Sequence, residues 1–175
     1  MAALLASFAE QALGAELLPP VLVTATRVDG QAFEVPASIT RIDAEDVPDL
    51  RARVQFADWL TGVPGLLARD RQNQAQDAQI SMRGFGARAS FGIRGVRLIV
   101  DGIPATMPDG QGQISHLALG SIAAVEVLSG PYSALYGNAS GGVILISTEE
   151  GAGPPRLSLG SIAGSDGLLQ TSGKL

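Results

Sequence analysis

The sequence predicts an α+β fold in which short strands outnumber short helices and long glycine-rich loops join them. Short runs of β-branched and aliphatic residues recur along the 175-residue chain, most clearly within residues 124–148, AVEVLSGPYSALYGNASGGVILIST. Gly at 22 positions and Pro at 10 positions interrupt these runs, which favours many turns over long helices. Apolar residues make up 46% and charged residues 17%, a composition typical of a chain with its own core.

Composition also excludes several classes of function. The net charge of −5 and the pI near 4.7 argue against nucleic-acid binding, because phosphate contacts need a basic surface. The absence of cysteine excludes disulfides, thiol catalysis and zinc–thiolate sites. The single histidine, His116, provides no cluster for a transition metal. We therefore predict no catalytic residue, no metal ion and no cofactor.

The N-terminal segment has two interpretations. Residues 1–15, MAALLASFAEQALGA, combine an apolar run with a small-residue end, as in a signal peptide cut after Ala15. No basic residue precedes the run, since the first one is Arg27, so the segment is either an incomplete signal peptide or an amphipathic helix. Residues 21–26, VLVTAT, follow two prolines and are β-prone. They form either an added strand for a partner or the first strand of the domain.

The next part of the chain predicts short strands and helices. Residues 38–42, SITRI, predict a strand, and Asp43 is placed to cap a single helical turn over residues 44–47. Apolar residues three and four apart predict a helix within residues 50–60, which a Gly-Val-Pro-Gly sequence ends.

Two more strands are predicted at residues 66–69 and 79–82. The segment between them, DRQNQAQD at residues 70–77, is polar and predicts a solvated loop.

The loop at residues 83–95, RGFGARASFGIRG, resembles a dinucleotide-binding glycine motif, with Asp101 placed as a ribose-binding acid. That hypothesis requires a helix after the glycines, and Gly92 and Gly95 occupy the only space for one. The remaining interpretations are a solvated loop, or a ligand-binding loop with arginine and aromatic side chains near its tip.

A second glycine-rich loop follows the predicted strand at residues 96–100. We expect residues 105–113, ATMPDGQGQ, to line the same ligand-binding opening as the loop at residues 83–95. Asp101 and Asp109 could form a pair of catalytic carboxylates, but each precedes a glycine, and turn formation explains both. Ser115 is placed to cap a short helix over residues 116–119.

Taken in this order, the motifs resemble those of the plug domain of TonB-dependent outer-membrane receptors. The resemblance covers residues 18 to about 150 and rests on several motifs rather than on one. These motifs are VLVTA at 21–25, ADWL and VPG within 57–65, ISMRG at 80–84, LIVDG at 98–102, IAAVEVLSGP at 122–131, and the following YG, GGV and ILI.

The resemblance implies a small mixed β-sheet domain inside an outer-membrane barrel of about 22 strands. It implies that TonB, energised by its inner-membrane complex, pairs with the TonB box as an added strand. The TonB box consists of Val21, Leu22, Val23, Thr24 and Ala25.

The resemblance also implies a small-molecule substrate, such as a ferric siderophore or another metal chelate, bound at the extracellular loops. We expect the ligand-binding side chains to be Arg88, Phe91, Met107, Asp109 and Gln111. Arg83 and Glu126 are expected to anchor the plug to the barrel. Ser129 stands where the family usually has an arginine before Gly-Pro, so we expect one anchor to be missing.

The predicted organisation has four parts. They are a signal-peptide remnant (1–15), the TonB box and linker (16–34), the plug domain (35–150), and a linker with the start of a truncated barrel (151–175), its first strand at 156–161. The expected location is the outer membrane, with the plug inside the barrel and the TonB box facing the periplasm; an isolated fragment, if exported, is expected in the periplasm. The alternative is a stand-alone periplasmic interaction domain that binds TonB-like partners or a small ligand without transport.

Overall fold

Short strands dominate the chain, as the sequence predicts. The computed structural model describes residues 22–23, 30–31, 36–47, 55–71, 73, 76–151, 154–155, 157–167 and 169–174. The strands in these ranges are β1 (Leu22–Val23), β2 (Gly30–Gln31), β3 (Ile39–Asp43), β4 (Leu66–Arg69), β5 (Gln79–Met82), β6 (Val96–Val100), β7 (Ile103–Pro104), β8 (Ile122–Ser129), β9 (Gly142–Thr148), β10 (Ser158–Ala163) and β11 (Leu169–Lys174). The helices are α1 (Phe56–Trp59), α2 (Ser133–Tyr136) and two 3-10 turns (Leu119–Ser121 and Ser165–Gly167).

Five of these strands form one mixed sheet in the order β3-β8-β9-β6-β7. β6 and β9 are parallel, whereas the other neighbours in this sheet are antiparallel. The parallel pair is possible because the chain between β6 and β9 is long enough to cross over, and it contains β7 and β8. β1–β2, β4–β5 and β10–β11 form separate two-stranded ladders.

The five-stranded sheet is covered on both faces. Its first face packs on the main core, in which α1 and β5 contribute Phe56, Trp59, Ile80 and Met82. Its second face carries a smaller cluster built from Ile99, Leu128, Tyr136, Ala139 and Val143. Burial on both faces explains the nearly continuous apolar sequences of β8 and β9.

The predicted strand–turn–helix–strand unit within residues 124–148 is present as β8, α2 and β9. Gly142 starts β9 where three chain segments meet. A Cβ atom at this position would collide with the carbonyl oxygen of Leu128 and the sulfur of Met82. Glycine is therefore needed here because of close backbone approach, which lets β9 pair directly beside β8.

Two local predictions are wrong. Asp43 is the last residue of β3, and residues 44–46 form a turn closed by Asp46 N donating to Asp43 O at 3.0 Å. The Asp43 carboxylate does not cap a helix, because it accepts from Arg41 Nε at 2.9 Å on the same strand.

The helix predicted at residues 116–119 is also not formed. Leu117 N donates to Ile114 O at 3.0 Å, so this segment is a turn, and the 3-10 turn begins only at Leu119. Ser115 therefore has no helix to cap, and its N–H donates to Asp77 Oδ1 at 2.9 Å.

Other predictions are shifted or lie outside the described residues. α1 occupies Phe56–Trp59 of the helix predicted within 50–60, and residues 50–54 are outside the described ranges. The strand predicted at 156–161 is found as β10, which pairs with β11. Residues 1–15 also lie outside the described part. No helix in the described ranges is long and apolar enough to cross a membrane.

Candidate functional site: two joined glycine-rich loops

The two glycine-rich loops predicted to bind ligand meet along their backbones. We call residues 83–95 the first loop and residues 105–113 the second loop. Ile93 N donates to Gly112 O at 2.9 Å, and Gly112 N donates back to Ile93 O at 2.7 Å. Within the second loop, Met107 N donates to Gln111 O at 2.8 Å. The loops therefore form one surface, as the sequence predicts for a shared mouth.

Gly92 makes this junction possible. Its φ of +60° lies in the left-handed region, and a Cβ atom there would lie 2.6 Å from Gln111 Cγ and 2.9 Å from Gly112 O. A side chain at this position would separate the two loops.

Three polar side chains join the loops near their rim. Arg94 Nη2 lies 3.4 Å from Asp109 Oδ2 and 3.3 Å from Gln111 Oε1, and Arg94 Nη1 lies 3.4 Å from Asp109 O. Asp109 Oδ1 in turn accepts from Gln111 N at 3.0 Å. Arg94 and Asp109 are about half exposed, Gln111 is partly buried, and the contacts of Arg94 are long, so the cluster is adaptable rather than rigid. The structure thus unites Asp109 and Gln111, two of the predicted ligand residues, with Arg94.

The other three predicted ligand residues are exposed on the same loops. Phe91 is 64% exposed and Met107 is 47% exposed. Arg88 is exposed in a turn of the first loop, and none of the ion pairs among the described residues involves it. An exposed guanidinium beside exposed apolar side chains can contact an anionic or aromatic ligand.

Arg71 and Asp77, which lie in the segment predicted as a solvated loop, bond to the first loop and to the chain just after the second. Arg71 Nη1 donates to Ser90 O at 2.9 Å, and Arg71 Nη2 donates to Ala89 O at 2.7 Å. Asp77 Oδ1 accepts from the N–H groups of Ile114 and Ser115, at 3.1 and 2.9 Å, just after the second loop. Arg71 and Asp77 are half-buried. They lie among glutamine and asparagine residues, and nothing in this local sequence indicates that they bond to distant parts of the chain.

The two aspartates considered as a catalytic pair, Asp101 and Asp109, have separate partners. Asp101 has both carboxylate oxygens bonded to Thr148, through its N–H and its hydroxyl, at 2.8 Å each. Asp101, with φ of 48°, is the first residue of the two-residue turn between β6 and β7, as predicted, and its N–H donates to Ile146 O of β9 at 2.9 Å. β6 begins at Val96 with no helix after the glycines of the first loop, which removes the dinucleotide interpretation. No group of three or more potential metal-ligating side chains occurs in the described ranges.

The predicted TonB-binding segment is described only at its centre. Leu22 pairs with Gln31 and Val23 pairs with Gly30 in the antiparallel β1–β2 ladder. Val21, Thr24 and Ala25 lie outside the described residues. The centre of this segment is thus already extended backbone, the conformation needed for strand pairing.

The predicted anchoring residues differ in their surroundings. Arg83 is exposed after β5, with φ of 49° and its N–H donating to Gly65 O at 2.9 Å. Glu126 is only 4% exposed, and its Oε1 accepts from Arg41 Nη1 at 2.9 Å. Ser129, where the resemblance implies an arginine, is buried at the end of β8.

Comparison with known proteins identifies the family of this domain. The family model described as TonB-dependent Receptor Plug Domain matches residues 31–143. The chain therefore belongs to this family of plug domains.

Two curated relatives are receptors or transporters by name. The chain is 34% identical over 149 residues to the vitamin B12 transporter BtuB of Vibrio vulnificus (strain CMCP6), covering 83% of this chain and 23% of that protein. It is 31% identical over 133 residues to the hemin receptor of Yersinia enterocolitica, covering 75% of this chain and 18% of that protein. The chain thus spans less than a quarter of the length of these relatives.

Solved structures share the fold. The pyoverdine outer membrane receptor FpvA from Pseudomonas aeruginosa PAO1, bound to pyoverdine, matches with a TM-score of 0.58 and 21% identity over 81% of this chain and 19% of that chain. The FpvAI–pyocin S2 complex matches with a TM-score of 0.54 and 19% identity, covering 81% of this chain and 17% of that chain. At these identities the similarity establishes the mixed-sheet plug fold and nothing finer.

Proposed function

We propose that this chain is the gating plug of a TonB-dependent outer-membrane active transporter for a scarce substrate such as a ferric siderophore. The observation that carries the proposal is the joined pair of glycine-rich loops at one edge of the sheet of a plug-family domain. The loops expose arginine, phenylalanine and methionine side chains together, which suits a ligand with both charged and aromatic parts.

Substrate contacts both loops in this proposal. Arg88 and Phe91 supply charge and aromatic surface from the first loop, and Met107, Asp109 and Gln111 complete the site from the second. A ligand that bridges the loops favours one arrangement of the Arg94–Asp109 contact over another. Because the first loop leads directly into β6, a change in the position of this loop also changes the position of β6 in the sheet.

On the periplasmic side, TonB with its inner-membrane energising complex pairs with Val21, Leu22, Val23, Thr24 and Ala25. The β1–β2 ladder spans only two residue pairs, and so short a ladder is marginal. TonB therefore replaces it with a longer ladder at little cost in free energy.

The barrel of the receptor is the third partner. Arg83 anchors the plug through its exposed guanidinium, and Glu126 anchors it indirectly by holding Arg41 on the edge strand β3. The site acts without catalysis, and the protein is located in the outer membrane. The stand-alone periplasmic alternative is less favoured, because the matched relatives are named as transporters and receptors.

The test is uptake by cells that carry the complete gene product at its own locus. Cells with the gene, cells without it, and cells with Val23→Pro receive radiolabelled ferric siderophores, haemin and cobalamin in separate assays. Proline removes a ladder donor, so we expect Val23→Pro to bind one of these compounds at the surface without accumulating it. Val23→Thr keeps the N–H and the β-branch, and it should transport normally. Equal uptake of every compound with and without the gene would contradict the proposal.

A further inference from the structure

A third segment of the chain adjoins both glycine-rich loops. It consists of residues 131–141, which contain α2 and the turn into β9, and we call it the α2 segment. Gly141 N donates to Gly95 O of the first loop at 2.8 Å. On the second loop, the side-chain amide of Asn138 lies so close to Gly110 that a Cβ atom at Gly110 would collide with it. The α2 segment therefore borders the proposed binding site.

The α2 segment is held by its own backbone and by the core. Gly137 N donates to Ser133 O at 2.9 Å, and Tyr132 N donates to Ala139 O at 3.2 Å. Ala139, which follows Asn138 in the sequence, is completely buried in the cluster on the second face of the sheet. A side chain on such a supported segment is positioned more precisely than one on the adaptable rim of the loops.

The side-chain amide of Asn138 has hydrogen-bond capacity that the protein does not use. The residue is exposed, and its side chain bonds to no other residue in the described part of the chain. The neighbouring side chains of Asp109 and Gln111 are instead joined to Arg94. The amide nitrogen of Asn138 lies nearer than its amide oxygen to the Cβ position of Gly110, so the donors face the second loop.

Local backbone structure does not explain why this residue is an asparagine. Asparagine is common in turns because it tolerates the left-handed conformation and bonds to nearby backbone groups. Asn138 does neither, since the non-glycine residues with positive φ among those described are Arg83 and Asp101, and its side chain makes no backbone bond. These facts favour a contact of the amide with a molecule outside the chain.

A ligand on the two loops would supply that contact. An exposed amide bonds to water, and a ligand that covers the loops removes this water. The amide then needs a partner on the ligand, because a buried donor without an acceptor costs free energy. We propose that Asn138 is a further ligand-contacting residue, whose amide donates to an oxygen atom of the substrate, such as a carboxylate or carbonyl oxygen. This inference rests on the proposed function, because that function places the substrate on the two loops.

The first experiment measures binding to cells that carry the complete gene product. Radiolabelled ferric siderophores, haemin and cobalamin are tested in separate equilibrium assays on the wild type and on each variant. Asn138→Ala removes the amide, and we expect about tenfold weaker binding of the compound that the wild type binds. Asn138→Asp keeps the shape but replaces the donors by a charged acceptor, so its binding should be weaker still.

Ser133→Ala is the matched control for these variants. Ser133 is an exposed polar residue at the other end of α2, and its substitution should leave binding as in the wild type. Unchanged or tighter binding in the Asn138 variants, or an equal loss in Ser133→Ala, would overturn the proposal.

The second experiment separates contact with the ligand from support of the second loop. In the wild type, Met107 N donates to Gln111 O at 2.8 Å, and Gly110 N donates to Met107 O at 2.9 Å. Hydrogen exchange of the ligand-free receptor should give the same rates at these two amides in Asn138→Ala, because no bond to the loop is lost. Faster exchange at both amides would mean that Asn138 supports the loop, and it would contradict the proposal.

The two proposals fail in different ways. Uptake of a compound by the wild type, with unchanged binding in the Asn138 variants, would keep the transport function and overturn the contact. Binding by the wild type that the Asn138 variants weaken, without uptake, would keep the contact and contradict transport. Absence of binding of every compound by the wild type would contradict both.

Discussion

Arg41 donates from Nη1 to Oε1 of the buried Glu126 at 2.9 Å, directly across the β3–β8 pair. Arg41 also contacts Asp43 two residues further along β3. The hydrogen bond with Asp43 raises the pKa of Arg41. Partial burial lowers this pKa, but the nearby charges of Asp43 and Glu126 also raise it, and the net shift is upward. The cluster ties the edge strand β3 to the centre of the sheet.

Removing Arg41 should destabilise the fold. Arg41→Met leaves the Glu126 carboxylate buried without this partner, so we expect the free energy of unfolding to fall by about 3 kcal/mol. The measurement is urea unfolding of the 175-residue chain followed by circular dichroism.

The double variant Arg41→Met/Glu126→Leu is the informative control. It removes both charges, and it should recover most of the lost stability. If the double variant is as unstable as the single one, the ion pair is not the cause. Since the pKa of Arg41 is raised on folding, its contribution to the free energy of unfolding is fully present when the pH is below the pKa of the unfolded state. It is lost only as the pH rises through the folded value, so the Arg41→Met effect should not diminish between pH 7 and pH 9.

Gly92→Ala should open the junction between the loops. The left-handed φ and the collision with Gln111 and Gly112 predict a loss of about 1–3 kcal/mol, concentrated in the loops. Hydrogen exchange should show faster exchange at the amides of Ile93 and Gly112, which bond to each other in the wild type.

Gly120→Ala is the matched glycine control for this prediction. A Cβ atom at Gly120 would meet nothing within 4 Å. Exchange at Ile93 and Gly112 should stay as in the wild type, and equal acceleration in both variants would mean that the Gly92 collision is irrelevant.

Arg71→Gln should loosen the tip of the first loop. The substitution shortens the side chain and removes the donors to Ala89 O and Ser90 O. We expect trypsin to cut after the exposed Arg88 about tenfold faster, because the tip opens more often. Arg69→Gln is the control, since Arg69 is exposed and its substitution should leave this cut unchanged. Equal rates for Arg71→Gln and the wild type would show that these bonds do not restrain the loop.

Phe91→Ala should weaken substrate binding without affecting the fold. Phe91 is 64% exposed, so its loss costs little in stability, whereas loss of an aromatic contact predicts about tenfold weaker binding, or about 1.4 kcal/mol. The measurement is equilibrium binding, to cells carrying the receptor, of whichever compound is taken up in the transport assay.

Ile103→Ala controls for the removal of an exposed apolar side chain of similar exposure. Ile103 pairs with Val100 at the end of β6 that is opposite to the Ile93–Gly112 junction of the loops. Its loss should leave binding unchanged, and an equal effect at both positions would place the ligand elsewhere.

How far the sequence predicts the site differs from residue to residue. The glycine-rich sequence predicts that Asp109 and Gln111 lie on a loop next to the loop of residues 83–95. The two backbone bonds between Ile93 and Gly112 confirm that the loops meet. The bonds of Arg71 and Asp77 were not predicted, because each of these residues bonds to residues 18 or more positions away in the sequence. Nothing in a polar loop sequence signals such partners.

The sequence by itself determined the positions of the main strands, the glycine turns and the family. These features depend on local periodicity and backbone freedom, which neighbouring residues encode. Only the tertiary structure decided that Asp43 pairs with Arg41 instead of capping a helix and that Glu126 is buried. The reason is that register across five strands, rather than spacing along the chain, determines which side chains meet.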